Sequence, residues 1–147
     1  MDAKSTAAKI RQNLADLRAN RERELLIIGN DLSALIKIRV QGSGENYLNT
    51  KFSPYSKDYA KKRLIGGFQI GHKDYTRTGR FWASVYAEID KDGNTIFTII
   101  ITAHGQDNID KAIGAQKKDG NILRPSQDEL DLAEQANNAR VQKYLQI

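Results

Sequence analysis

The side chains in this sequence whose types could do chemistry are two histidines, a few serines, a run of carboxylates and a block of cations. His72 and His104 fall in separate turn-rich stretches, and neither stands at metal-ligand spacing from a carboxylate on a common helix. Each therefore reads as a solvated loop histidine rather than a ligand or general base. Ser56 and Ser84 lack the strand-turn-helix context of a nucleophile elbow. The carboxylates of DELDLAE, residues 128–134, lie where a capping box and a solvated helix face would put them, and nothing in the run suggests the burial an acid/base pair needs. Gly66-Gly67 has neither a Walker lysine nor a dinucleotide fingerprint around it. The chain has no cysteine, which excludes disulfides, thiol nucleophiles and thiolate metal sites. The expectation is a protein that is not an enzyme and carries no cofactor and no metal.

The cations remain. The formal net charge of +5 is unevenly spread: residues 51–80 hold eight basic and two acidic side chains, whereas residues 81–147 hold seven and ten. Lys57, Lys61, Lys62 and Arg63, with Tyr55 and Tyr59 among them, mix cations and aromatics as a surface contacting a nucleic-acid backbone does. The two tyrosines are also spaced i, i+4, which puts both on the face a helix turns to a core. Arg77 and Arg80 flank Thr78-Gly79 and can bind a phosphate or a neighbour's carboxylate. These six cations are the candidate interaction residues. Thr78 and Gly79 read as a structural turn, Gly79 holding a backbone angle that a side chain resists and Thr78 capping the next segment. The charge split suits two partners, a nucleic acid or the acidic end of another copy. No helix-turn-helix, zinc-finger or RNP motif is visible.

The elements that must position these residues centre on 75–103. Residues 96–102 are rich in β-branched side chains and free of charge, Gly and Pro, so they predict a strand buried on both faces. Before it, Phe81, Ala83, Val85, Ala87 and Ile89 alternate as in a strand, while Phe81, Trp82, Val85, Tyr86 and Ile89 fit one helical face; both remain open, including a short helix leading into a strand. Asp92-Gly93-Asn94 turns the chain back into a hairpin, which flanking helices must cover because two strands alone are unstable.

Upstream, apolar residues at three- and four-residue steps predict one helix from about 3 to 39, with residues 1–20 a candidate projecting arm. Arg21 and Glu24 interrupt its stripe, Gly29 marks a bend, and the alternation at residues 36–40 could end it in strand. Ser53 and Pro54 predict the start of a short basic helix. Downstream, residues 108–118 form a helix capped by Asp107, residues 122–125 an extended anchor before Pro125, and Ser126 with Glu129 opens a final helix. The expected architecture is α+β: a long N-terminal helix, a short basic helix, a central β-hairpin packed by helices and a C-terminal helix. At 147 residues the chain is most simply a single domain, 1–147. No apolar run approaches the ~18–20 residues of a membrane span, and the charged N-terminus lacks a signal-peptide core, so an intracellular product is expected.

Three segments in one order resemble a known family. Phe52-Ser53-Pro54-Tyr55-Ser56-Lys57-Asp58-Tyr59-Ala60-Lys61-Lys62 is similar to its F-x-P-x-S segment, with the Tyr and Lys beyond it. Tyr75-Thr76-Arg77-Thr78-Gly79-Arg80-Phe81-Trp82-Ala83-Ser84 is similar to its Thr-Gly segment, which also precedes a hairpin. Residues 120–129, Gly120-Asn121-Ile122-Leu123-Arg124-Pro125-Ser126-Gln127-Asp128-Glu129, resemble its closing segment, which leads into a final helix. The family is the neck and tail-completion proteins of tailed bacteriophages, also described as minor tail or virion morphogenesis proteins. Phe81 stands where the family usually has Leu, and Pro125 interrupts the closing Arg-aromatic-Leu run. The resemblance implies a small α+β virion protein, made in the bacterial cytoplasm and built into the neck or upper tail. It further implies a homo-oligomeric ring, six- or twelve-fold, touching portal, connector or tail proteins, with double-stranded DNA passing through its lumen and no membrane. Tail completion, connector and stopper all stay open. The alternative is an accessory protein that binds nucleic acid without sequence preference.

Overall fold

A computed structural model describes residues 2–93 and 96–145. The expected α+β architecture is what it shows: helices at both ends and a two-stranded antiparallel hairpin between them. In order come α1 (Ala3–Ala19), α2 (Arg21–Ile38), a π-helical turn (Arg39–Ser43), α3 (Lys57–Ile65), α4 (Arg80–Ser84), β1 (Val85–Asp92), β2 (Ile96–Ala103), α5 (Gln106–Asp119) and α6 (Gln127–Leu145).

The single N-terminal helix of the sequence is two. The chain breaks at Asn20, whose side-chain amide donates to the Asp16 carbonyl, the local competition that disfavours Asn inside a helix. α1 has no buried residue and leaves Ile10 and Leu14 exposed, while it packs against α6 and α2. α2 is the core helix, burying Leu32 and Ile36. Gly29 lies inside the continuous helix α2, against the hairpin. A Cβ built there would lie 2.7 Å from the Ala87 Cβ and 2.9 Å from Ile99, so glycine is what lets α2 approach the hairpin. The helix does not end in strand: it widens into the π turn, which closes at Gly44 with φ 64°.

Both readings of residues 81–89 are realised in sequence. Phe81 and Trp82 belong to the one-turn helix α4, and the strand starts at Val85. Register pairs Val85 with Ala103, Ala87 with Ile101, Ile89 with Ile99 and Lys91 with Phe97. Asn94, the last residue of the expected turn, lies outside the described residues. β2 is not buried on both faces: Ile96 is 56% exposed and Ile99 to Ile101 only half-buried, because helices cover one side of the sheet. The core gathers Ile36, Val40, Phe52, Phe81, Trp82, Ala103, Ala115 and Ile122, so helix, loop and hairpin ends all contribute.

Three local boundaries also move. α3 begins at Lys57 with Ser56 as its cap, its hydroxyl 3.4 Å from the Tyr59 N–H, rather than at Ser53. α5 starts after Gly105, earlier than an Asp107 cap would allow. Residues 122–125 turn instead of extending, and Ile122 is driven inward to 1% exposure. Among the described residues, no helix is long and apolar enough to cross a membrane.

Candidate functional site

Residues 51–80, the basic block, split into two buried ion pairs and two exposed surfaces. Arg63 is the side chain α3 turns inward. At 4% exposure it donates to both Asp74 oxygens at 3.2 Å, to the Gln69 carbonyl at 3.0 Å and to the Thr76 carbonyl at 2.7 Å. Its guanidinium also lies 4.6 Å from the Tyr55 ring centre. Arg63 is therefore held inside the fold rather than exposed on the outer side of α3. A planar fork with five donors can pin a loop from three directions, which a lysine cannot. Asp74 answers it by also accepting from the Tyr55 hydroxyl, the Gln69 amide and the Thr76 N–H, while its carbonyl takes the Trp82 indole N–H. Burial pushes the Tyr55 hydroxyl up to about 12, with the Asp74 charge beside it adding to the effect.

The second pair lies at Asp119, the last residue of α5. Its carboxylate accepts from the Ser53 N–H and hydroxyl, from the Lys73 ammonium at 2.9 Å and from the Tyr75 hydroxyl. Burial alone would raise this carboxyl, but the bonds from Tyr75, Lys73 and Ser53 outweigh it and hold Asp119 below its ordinary range. Burial and the Asp119 carboxylate push the Tyr75 hydroxyl far up. These tyrosine and carboxylate groups are locked to one another.

Around them opens a cleft of about 1000 Å³. Its walls carry Tyr55, Tyr59, Tyr75 and Phe81, together with the cations Arg63, Lys73, Arg77, Arg80, Lys111 and Lys118; among the described residues no carboxylate lines it. Arg63 and Lys73 are neutralised from behind by Asp74 and Asp119. Arg77, Arg80, Lys111 and Lys118 are exposed, and among the described residues their side chains have neither a hydrogen-bond nor an ion-pair partner. A concave wall with four uncompensated positive charges attracts an anionic group.

The structure thus brings Arg77 and Arg80 together, as their flanking of one turn suggested, and adds Lys111 and Lys118 from α5. Those two stand on a helix spaced i, i+7, so they share a face; the sequence offered that spacing but not which element it faces. Lys57, Lys61 and Lys62 lie apart from the cleft, exposed on the outer side of α3. Gly79 has φ 76°, the left-handed conformation its turn role requires, and the Thr78 hydroxyl lies 3.4 Å from the Arg80 N–H. Tyr59 is not a core residue: it is 37% exposed and packs edge-on to Tyr55.

The histidines have partners of their own. His72 Nε2 lies 2.8 Å from the Gln41 carbonyl, and His104 stacks on Tyr86 with ring centres 3.8 Å apart. Among the described residues no group of histidines and carboxylates could hold a metal ion. At the other end of the core, Arg39 reaches Glu129 at 2.7 Å and the carbonyls of Glu45 and Arg124, while Glu129 and Ser126 complete the expected capping box. One carboxylate of the DELDLAE run is thus buried after all, as a partner for an arginine.

Comparison with family models, curated proteins and solved structures found no match to this chain.

Proposed function

We propose that this chain is a non-catalytic structural subunit that assembles with copies of itself, in the manner of the neck and tail-completion proteins its segments resemble. The observation that carries the proposal is where those segments meet. Asp119, next to the closing segment, ties Ser53 of the first segment to Tyr75 of the second. Glu129 and Arg124 of the closing segment hold Arg39 at the end of α2. The three segments are therefore fastened into one scaffold, and the surfaces between them stay free for contacts. An uncompensated basic cleft and a separate lysine face give such a subunit charged docking surfaces, and a heterologous contact that closes makes a ring.

A second function rests on the same cleft. Four free cations beside tyrosine rings also suit a nucleic-acid backbone. Sedimentation at several concentrations, alone and with portal or tail proteins, separates the two. Assembly is expected without nucleic acid. A strict monomer that joins none of these proteins, yet binds DNA with an affinity falling steeply in salt, would replace the first function with the second.

A further inference from the structure

The outer face of the hairpin is the opposite of the cleft. Gly29 of α2 lies against Ala87 and Ile99, so Ala87, Ile89 and their partners face the helices. Side chains alternate along a strand, which turns Glu88, Asp90 and Asp92 together to the other side. All three are exposed, and among the described residues none has an ion-pair partner; Glu88 takes only a hydrogen bond from Tyr86. Across the register stand Ile100, Thr98 and Ile96, so the face pairs a row of carboxylates with a row of mostly apolar, β-branched side chains. The cleft pairs free cations with aromatic rings. Within one copy the two do not neutralise each other: Asp90 lies five residues along β1 from its start, ~16 Å at the usual strand rise, and the strand leads away from α4.

We propose that the carboxylate row of β1 in one copy docks into the basic cleft of the next, Glu88 and Asp90 meeting Arg77, Arg80, Lys111 and Lys118. This rests on the self-assembling function above and names its contact. The contact is head-to-tail, since the two faces differ, and each copy offers one of each, so it propagates. Guanidinium-carboxylate pairs fix its orientation, and charge speeds the encounter. Because the pairs are solvent-accessible before docking, assembly weakens as salt shortens the reach of charge.

Charge exchange between two variants tests the contact. Arg77→Glu and Arg80→Glu, together with Lys111→Glu and Lys118→Glu, make both faces of a copy acidic; Glu88→Lys with Asp90→Lys makes both basic. Each variant alone is expected to sediment as a single protomer, with its circular-dichroism melt retained because, among the described residues, these side chains make no ion pair and only one exposed hydrogen bond, from Tyr86 to Glu88. An equimolar mixture of the two is expected to regain assembly, with the variants alternating. Should one variant fail to fold, the neutral pair Arg77→Gln with Arg80→Gln is expected to raise the assembly concentration. A wild-type protein that never assembles overturns the self-assembling function and this contact with it. A wild-type protein that assembles while the folded variants assemble equally well, or whose variants do not complement on mixing, overturns the contact alone. Cleft variants that lose oligonucleotide binding while assembling normally overturn it as well, in favour of a nucleic-acid cleft.

Discussion

Arg63 and Arg39 show what single residues do here. Each is an arginine in the interior whose guanidinium holds a carboxylate and two or more carbonyls, so each replaces a stretch of apolar packing with a polar hub. Removing one member of such a pair leaves the other charge buried without compensation, at a cost of about 3–5 kcal/mol. Glu129→Ala should fall in that range in urea unfolding, because it also removes half of the α6 capping box. The pH dependence has its origin in the same kind of hub. Asp119 and Glu24 titrate below their ordinary values of 3.8 and 4.5, Glu24 because bonds and charge from Tyr144, Lys143 and Arg140 outweigh its burial. Their contribution is complete above those values and is lost as pH falls through them to the lower folded ones. Tyr55 and Tyr75 are displaced the other way, so their contribution is complete below the ordinary value of 10 and is lost above it. A plot of melting temperature against pH should be flat between these limbs and fall outside them. Asp119→Asn should lower the plateau and make the acid limb shallower. A variant with an unchanged acid limb would remove Asp119 from that role.

At the scale of elements, the sequence was legible where local chemistry decides. The hairpin, the Ser126 and Glu129 capping box and the Gly79 turn all depend on neighbours within a few residues, and each is found. It was not legible where distant groups decide. Glu24 interrupts an apolar stripe in the sequence, but it is buried because α6 brings Tyr144, Lys143 and Arg140 to it. Arg63 looked like one more surface cation because nothing in a basic run announces Asp74 eleven residues on. Half of the cleft was similarly hidden, since α5 had to be folded beside α4 before Lys111 and Lys118 joined the arginines. Gly29 offers the sharpest test of element packing. By helix propensity alone Gly29→Ala should stabilise by about 1 kcal/mol. The methyl would instead meet the Ala87 Cβ, which has no rotamer to yield, so a net loss of about 1–3 kcal/mol is expected, as in overpacked cores. A stabilised variant would mean that α2 and the hairpin are not in such close contact. Gly79→Val should also destabilise, by about 1–3 kcal/mol, since its strain lies in the backbone even though no atom stands near.

At the scale of the whole molecule, charge is segregated by face. Cations that have no partner among the described residues line part of the cleft and cover the outer side of α3, whereas the carboxylates of β1 lie on the far side of the hairpin from α2. Lys61→Glu with Lys62→Glu tests the α3 face separately: if that face meets another protein, joining to portal or tail components should fail while weak DNA binding hardly changes. Normal joining would shift attention to α1, whose Ile10 and Leu14 are exposed. The central claim is that the copies close upon one another, and negative-stain class averages of the purified protein at low salt test it most directly. Closed rings of one rotational symmetry, dissolving as salt is raised, are the result expected. Single protomers at every concentration, or open filaments of indefinite length, would contradict it.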